Sequence, residues 1–318
     1  MKRLLALLVC ALAIHAHAQT YPAKPVRVIV PYPPGGGNDT LGRLFAAKLS
    51  DRMGQQFVVE NRPGAGAMIG TEAAAKSPPD GYTILLSSIA THALSPNLYS
   101  RVPYDPVRDF APITLLGIAP TVLVVPADLP AKNLQELIAA ARAKPGSLAY
   151  ASGGNGTPPH VNAEVFKAVA GVDLLHVAYK GGGPALIDLI AGRVQVMLDT
   201  AASAMPHVRS GKVRAIAISA PKRSPELPEL PTFAEAGLPG YDTNAWYSMH
   251  APAGTPSEVV RRLNAELVAI LKDADILARF KQLTTDPVGN SPEEFTAFVR
   301  SELDKYAKVI KAAGIKLD

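Results

Sequence analysis

The chain has 318 residues, 48% hydrophobic and 19% charged, with 29 prolines and a single cysteine. That length allows two or three domains with a sizeable core, and the composition excludes wholesale disorder. The net charge of +5 includes Lys2 and Arg3 at the very start. The remainder is too weak, and too poor in Lys/Arg stripes interleaved with aromatics, for nucleic acid to be a partner.

Lys2 and Arg3 precede an apolar run, Leu4 to Ile14, and the small-x-small triplet Ala16-His17-Ala18. This is the pattern of a secretory signal peptide over residues 1–18, cleaved after Ala18. The run is well short of the roughly 20 residues of a membrane span. Cys10 leaves with it, so the mature chain has no disulfide, no thiol nucleophile and no Cys-ligated metal. An exported, thiol-free chain of this size points to the periplasm.

Val26–Val30 is a continuous apolar run, the pattern of a strand buried on both faces, and it enters Tyr32-Pro33-Pro34-Gly35-Gly36-Gly37-Asn38-Asp39. A helical pattern follows, with Leu41, Leu44, Phe45, Leu49 and Met53 on one face, and Gly54 ends it. Phe57–Val59 reads as a strand, Ile69–Lys76 as a short helix and Tyr82–Leu86 as a strand leading into Ser87-Ser88. This β-α-β-α-β opening calls for a parallel sheet with helices on both faces. The grammar returns with Val122–Val125 as strand and Asn133–Ala143 as helix. Leu148–Ala151 is a strand, and a helix follows it with Val161, Val165, Phe166 and Val169 on its core side. Leu174–Ala178 is a strand followed by a helix to Gly192, and the strands Val194–Leu198 and Val213–Ile218 complete the set. The last hundred residues predict a strand near Ala245–Ala251 and two amphipathic helices. These are Ser257–Leu271, capped by Thr255 or Ser257, and Pro292–Ala313.

Three Gly-rich turns, around Gly35–Gly37, Gly153–Gly156 and Gly181–Gly183, follow buried strands and precede helices. In open α/β sheets ligands bind at the carboxyl ends of strands. There the first-turn N–H groups are free, the helix dipole favours an anion, and Gly admits a ligand close to the backbone. The expectation is an anion held mainly by backbone groups between two lobes. Carboxylate suits it better than phosphate because no basic residue lies inside the first two turns. The competing reading is that each Gly merely solves a tight βα connection.

Seven co-linear segments carry a resemblance: Val28–Asp39 (VIVPYPPGGGND), Val58–Gly66 (VVENRPGAG), Pro79–Leu85 (PDGYTIL), Pro103–Phe110 (PYDPVRDF), Tyr150–Thr157 (YASGGNGT), Tyr179–Gly183 (YKGGG) and Ala251–Pro256 (APAGTP). Together they resemble the Bug family, the substrate-binding receptors associated with tripartite tricarboxylate transporters. The resemblance implies an α/β, two-lobed, type II periplasmic-binding-protein fold, each lobe a mostly parallel sheet flanked by helices. Crossovers near Pro120–Val125 and Ile218–Ala220 would make one lobe of residues 19–122 with 220–318 and the other of 123–219. It also implies a monomer without cofactor that closes on a small carboxylate and serves membrane permease subunits. The carboxylate would be gripped by Tyr32, Pro34, Gly36, Gly37 and Asp39 of the first Gly loop and by Asn155, Gly156 and Thr157 of the second.

Individual residues keep two readings each. Asp39 could cap the first helix, or orient a water or meet an ammonium group. Ser87, Ser88 and Thr91 end a strand at the crevice and could bond the ligand's second polar end, or simply cap the turn. Thr157 stands at an N-cap with its hydroxyl and N–H toward the cleft, and His160, one turn on, is a structural histidine or a contact. Asp199 ends an apolar strand where a carboxylate is costly unless paired or solvated; it could select an amine or a hydroxyl. His92, His160, His176, His207 and His250 lack metal-site spacing, and no Gly-x-Ser-x-Gly elbow or P-loop occurs. The rival functions are an exported α/β enzyme acting on a small acid through Ser87 or Asp199, and a ligand-sensing module for a signalling partner.

Overall fold

The computed structural model describes residues 21–35, 37–224, 227–315 and 317. The signal peptide, its cleavage site and Gly36 lie outside the described residues. The chain runs β1 (Val26–Val30), α1 (Gly37–Met53), β2 (Phe57–Asn61), α2 (Met68–Ala75) and β3 (Thr83–Ser88). A π-helical turn, Ala90–Leu94, leads to α3 (Ser95–Leu98) and the long β4 (Phe110–Pro126). Then come α4 (Leu134–Ala143), β5 (Ala149–Ser152), α5 (Pro158–Ala170), β6 (Leu175–Ala178), α6 (Gly182–Ile190), β7 (Val196–Thr200), α7 (Ala201–Arg209) and β8 (Val213–Ile218). The chain closes with β9 (Asn244–Pro252), α8 (Ser257–Ile270), α9 (Ala274–Gln282), β10 (Asp286–Pro287) and α10 (Pro292–Ala312).

Two sheets share β4. In the first, the order is β2-β1-β3-β9-β4, with β1 parallel to β2 and β3, β9 antiparallel to both its neighbours, and β10 added to β4. In the second, β7, β5 and β6 are mutually parallel, while β4 pairs antiparallel with β7 and β8. The parallel strands have the buried, β-branched sequences expected of them; Val26, Val28, Ile29 and Val30 are fully buried. Helix α1 lays Leu41, Phe45 and Leu49 on the first sheet, and Gly54 stops it at φ 70°. Gly42 lets it come close: a Cβ there would sit 2.7 Å from Val30 Cγ2.

The strand expected at Val122–Val125 is only the end of β4. Pro112 and Pro120 argue against a long strand, yet β4 accommodates the first at a bulge, between Pro112 and Thr114. Helix α9 was not expected. Neither was the exposure of Val169, which faces solvent while Val161, Val165 and Phe166 are buried. Helix α8 starts without a side-chain cap at Pro256, because the Thr255 hydroxyl donates to the Pro252 carbonyl at 2.8 Å. A shared core joins the two sheets: Phe295 and Tyr306 of α10 belong to one cluster with Val161 and Phe166 of α5 and Trp246 of β9. Among the described residues no helix is long and apolar enough to cross a membrane.

Under the end of β3 lies a fully buried histidine pair. His92 and His250 stack with centroids 4.1 Å apart, His250 Nδ1 is 2.7 Å from Ser87 Oγ, and His92 Nδ1 is 2.9 Å from Thr91 Oγ1. Desolvation pushes His92 down to about 3; desolvation, and then the repulsion a proton would meet from a protonated His92, hold His250 well below its ordinary value. Both are neutral in the folded state, whereas the unfolded chain takes up a proton near pH 6.5. Their contribution is intact above that pH and is lost below it at about 1.4 kcal/mol per pH unit for each histidine. Thermal unfolding should therefore show Tm falling steeply from pH 7 to pH 5, with a shallower fall in His92→Phe. A flat parental profile would contradict the assignment.

Candidate functional site

The carboxyl ends of β1, β3, β5, β6 and β7 open on one cavity of about 550 Å³. Its walls include Gly37 and Asn38 at the start of α1, Thr157–Pro159 at the start of α5, Gly181 and Gly182 at α6, and Thr200, Ala202 and Ser203 at α7. Four helices thus point their N-termini, and the positive ends of their dipoles, into one space; at α7 the Ser203 N–H is already taken by Thr200 Oγ1 at 3.4 Å. Pro158 and Pro159 remove donors from α5, so α1, α6 and α7 carry most of this capacity. Tyr32, Ser88, Trp246 and Tyr247 complete the wall, and no Lys or Arg is among the described lining residues. The two Gly turns on the second-sheet side lean on each other: a Cβ on Gly153 would lie 3.2 Å from the Gly182 nitrogen.

The first loop is held from behind. Asp39 Oδ2 accepts from the Gly35 N–H at 2.9 Å and from Arg43 Nε at 3.0 Å, and Oδ1 accepts from Asn61 Nδ2 at 2.8 Å. The Asn61 amide also donates to the Tyr32 carbonyl at 3.0 Å. The bonds from Arg43 and then Gly35 lead in holding the Asp39 carboxyl down to about 2. Neither expected role for Asp39 is what these contacts show: it sits inside α1 and ties down the preceding turn.

Tyr32 lies on the wall with its hydroxyl 2.6 Å from Ser88 Oγ. Desolvation pushes it up to about 12, against the Ser88 bond. Tyr247 is likewise pushed up to about 12, by desolvation first and then by Tyr32 and Asp199. Both phenols remain protonated at neutral pH. Asp199 is buried at the end of β7; Oδ1 accepts from the Thr200 N–H at 2.8 Å, while Oδ2 has no hydrogen-bond partner. Desolvation raises its pKa, opposed by the Ser203 hydroxyl and the Thr200 amide. Asn38 Oδ1, across the cavity, is also buried without a partner.

Of the residues singled out in the sequence, Tyr32, Gly37, Ser88, Thr157 and Asp199 line the cavity. Pro34 and Asn155 are exposed beside it. Gly156, at φ 76°, packs against Tyr99 and Leu317. Thr157 turns its hydroxyl and N–H onto the Gly154 carbonyl, at 2.7 and 3.3 Å, rather than into the cleft. His160 stands behind the loop, its Nδ1 accepting from the Gly156 N–H at 3.2 Å and its ring 4.4 Å from His176. Ser87 faces away from the cavity onto Ser248 Oγ and His250. Thr91 closes a turn onto the Ser88 backbone, and neither it nor Ser87 is on the wall. The wall residues that were not assigned to the site include Asn38, Gly181, Gly182, Thr200, Ser203, Trp246 and Tyr247. The glycines were legible as the third Gly-rich turn, and Thr200 and Ser203 as a hydroxyl cap after a buried strand. The aromatics arrive on antiparallel β9, for which the sequence carries no crevice signal.

Two α/β halves with strand ends and helix N-termini around a shared cleft define the periplasmic-binding-protein class. A model of the tripartite tricarboxylate transporter family receptor matches residues 41–315. The chain is 38% identical over 323 residues to BugT of Bordetella pertussis, covering 100% of this chain and 99% of that one. Among solved structures it is similar to Rpa4515 of R. palustris with adipate (38% identity, TM-score 0.86, 93% of this chain and 99% of that chain). It is also similar to MatC of Rhodopseudomonas palustris with bound malate (33% identity, TM-score 0.82, 91% and 100%). The protein belongs to the Bug family of tripartite tricarboxylate transporter receptors.

Proposed function

We propose that the chain is an exported solute receptor, cleaved after Ala18 and monomeric. It captures a small organic carboxylate between residues 19–122 with 220–318 on one side and residues 123–219 on the other. It delivers that acid, chemically unchanged, to the permease subunits of a tripartite tricarboxylate-type transporter. The observation that carries this reading is the convergence of four helix N-termini on a cavity with no basic side chain among its described lining residues. Amide donors and dipoles there replace a carboxylate's hydration without a full counter-charge, so release remains possible. The adipate and malate in the two neighbouring structures support the same ligand class. Against turnover, the Ser87–His250 pair is fully buried and off the cavity wall. Binding works by population shift: contacts made to both halves at once favour the closed arrangement.

A thermal-shift panel of mono-, di- and tricarboxylates tests the proposal. A ligand at 100 times its Kd adds about 2.7 kcal/mol to stability, so at least one acid should raise Tm by several degrees and be recovered intact by NMR. No shift with any carboxylate at millimolar concentration, or conversion of the acid to a product, would overturn it.

A further inference from the structure

The turn that brings Gly153 and Thr157 to the cavity wall is held from behind by two histidines that do not line the cavity themselves. Between those wall residues, Gly154 and Gly156 sit at φ 123° and 76°, and neither has a side chain to fix its backbone. Both of their amides are claimed from the rear. The Gly156 N–H donates to His160 Nδ1 at 3.2 Å. The Gly154 N–H donates to Ser152 Oγ at 3.1 Å, and that oxygen lies 2.7 Å from His176 Nε2. The two imidazoles stack at 4.4 Å, and His176 stacks on Tyr150 at 4.7 Å. Helix α5, strand β6 and strand β5 thus contribute one ring each. His160 Nδ1 accepts only while it is unprotonated. Burial leads in lowering the pKa of both histidines, His176 to about 4 with His160 next in effect; on each, Glu164 of α5 opposes the shift and Lys167 adds to it. Tyr150 gives its hydroxyl to Glu164.

We propose that His160, with His176 behind Ser152, is a positioning residue for ligand capture: it fixes the second-sheet Gly turn in its binding arrangement through an unprotonated Nδ1. This inference rests on the carboxylate-receptor reading and names what keeps one wall of that site in place. A loose turn of two glycines must be ordered when the ligand arrives, and that ordering is subtracted from affinity. A turn tied in advance does not incur it. Protonation of His160 sets an N–H against the Gly156 N–H and releases that tie. The grip on the ligand therefore weakens in acid through the protein as well as through the ligand's own ionisation.

The test is calorimetric binding, between pH 8 and pH 4.5, of whichever acid the thermal panel identifies. At pH 7.5 His160→Leu should weaken binding by about tenfold. His160→Asn, whose Oδ1 stands in for Nδ1 and does not titrate, should recover most of that loss. Dividing the parental affinity by that of His160→Asn at each pH cancels the ligand's own ionisation. The quotient should be flat above pH 7 and fall by about threefold or more by pH 4.5. His176→Gln keeps a polar atom against Ser152 and should bind within about threefold of the parent, where His176→Leu loses about tenfold. That second pair decides the matter if His160→Leu does not fold. Leucine variants that bind like the parent, an Asn variant as weak as the Leu variant, or a flat quotient would overturn the positioning role alone. No carboxylate bound by the parent would overturn the carboxylate reading and this inference with it.

Discussion

Gly37→Val is expected to weaken carboxylate binding by about 100-fold, the loss of one or two charge-assisted amide bonds, while shifting Tm by less than about 2 °C. Gly37 opens α1 on the cavity wall, its φ is not in the left-handed region, and a Cβ built on it meets nothing within 4 Å. The fold therefore tolerates a side chain there, but the isopropyl group occupies the space through which a ligand reaches the backbone. Gly182→Val is the matching change on the other half, at the start of α6, again with open space around its Cβ. Titration calorimetry with the acid identified in the thermal panel, alongside thermal melts, separates binding from stability. Parental affinity in both variants would remove the Gly turns from the site.

Trp246→Ala has the largest expected effect on stability, about 3–5 kcal/mol. The only tryptophan of the chain is 1% exposed, on β9. Its edge meets Phe295 and Phe298 of α10, with centroids 6.5 and 5.6 Å apart, and Nε1 donates to Glu302 Oε2 at 2.9 Å. Truncation opens a cavity in the core shared by the two sheets and takes the indole donor from a buried carboxylate, which keeps Lys305 at 3.5 Å. Denaturant unfolding followed by circular dichroism should show the loss in the midpoint with little change in slope. A loss below about 1 kcal/mol would mean that the core does not depend on this contact. Because Trp246 also lines the cavity, its fluorescence in the parent protein should respond to ligand.

Much of the first sheet was legible, and so was the rule that placed the cleft. Val26–Val30 announces itself as a doubly buried strand, and Tyr82–Leu86 reads as a strand that the structure places at Thr83–Ser88. The Gly-rich turns mark where those strands hand over to helices, since only close backbone packing and free amides call for Gly there. Helix α10 was readable as Pro292–Ala313, and the structure adds the capping box that Ser291 and Glu294 form at its start. What failed was long-range. The length of β4 depends on pairing with β9, β7 and β8, and no local pattern containing Pro112 and Pro120 forecasts it. Asp39 looked like a cleft residue because it follows the Gly run. Asn61, 22 residues on, and Arg43, one turn along α1, claim its carboxylate instead. Ser87 and Ser88 show the same limit at the scale of one residue, since strand alternation sends one to the buried histidines and the other to the ligand wall.

Local pattern by itself determined the strands that end at the cleft and the helices that start there, because burial and turn chemistry are properties of a few neighbouring residues. Only the tertiary structure decided which polar groups face the cavity and which are already paired. Asn38 and Asp199 are 161 positions apart in sequence, and they meet at one opening only once the ends of β1 and β7 are brought together. Whether a buried oxygen has a partner is a fact about the whole arrangement of the chain, and no stretch of sequence contains it.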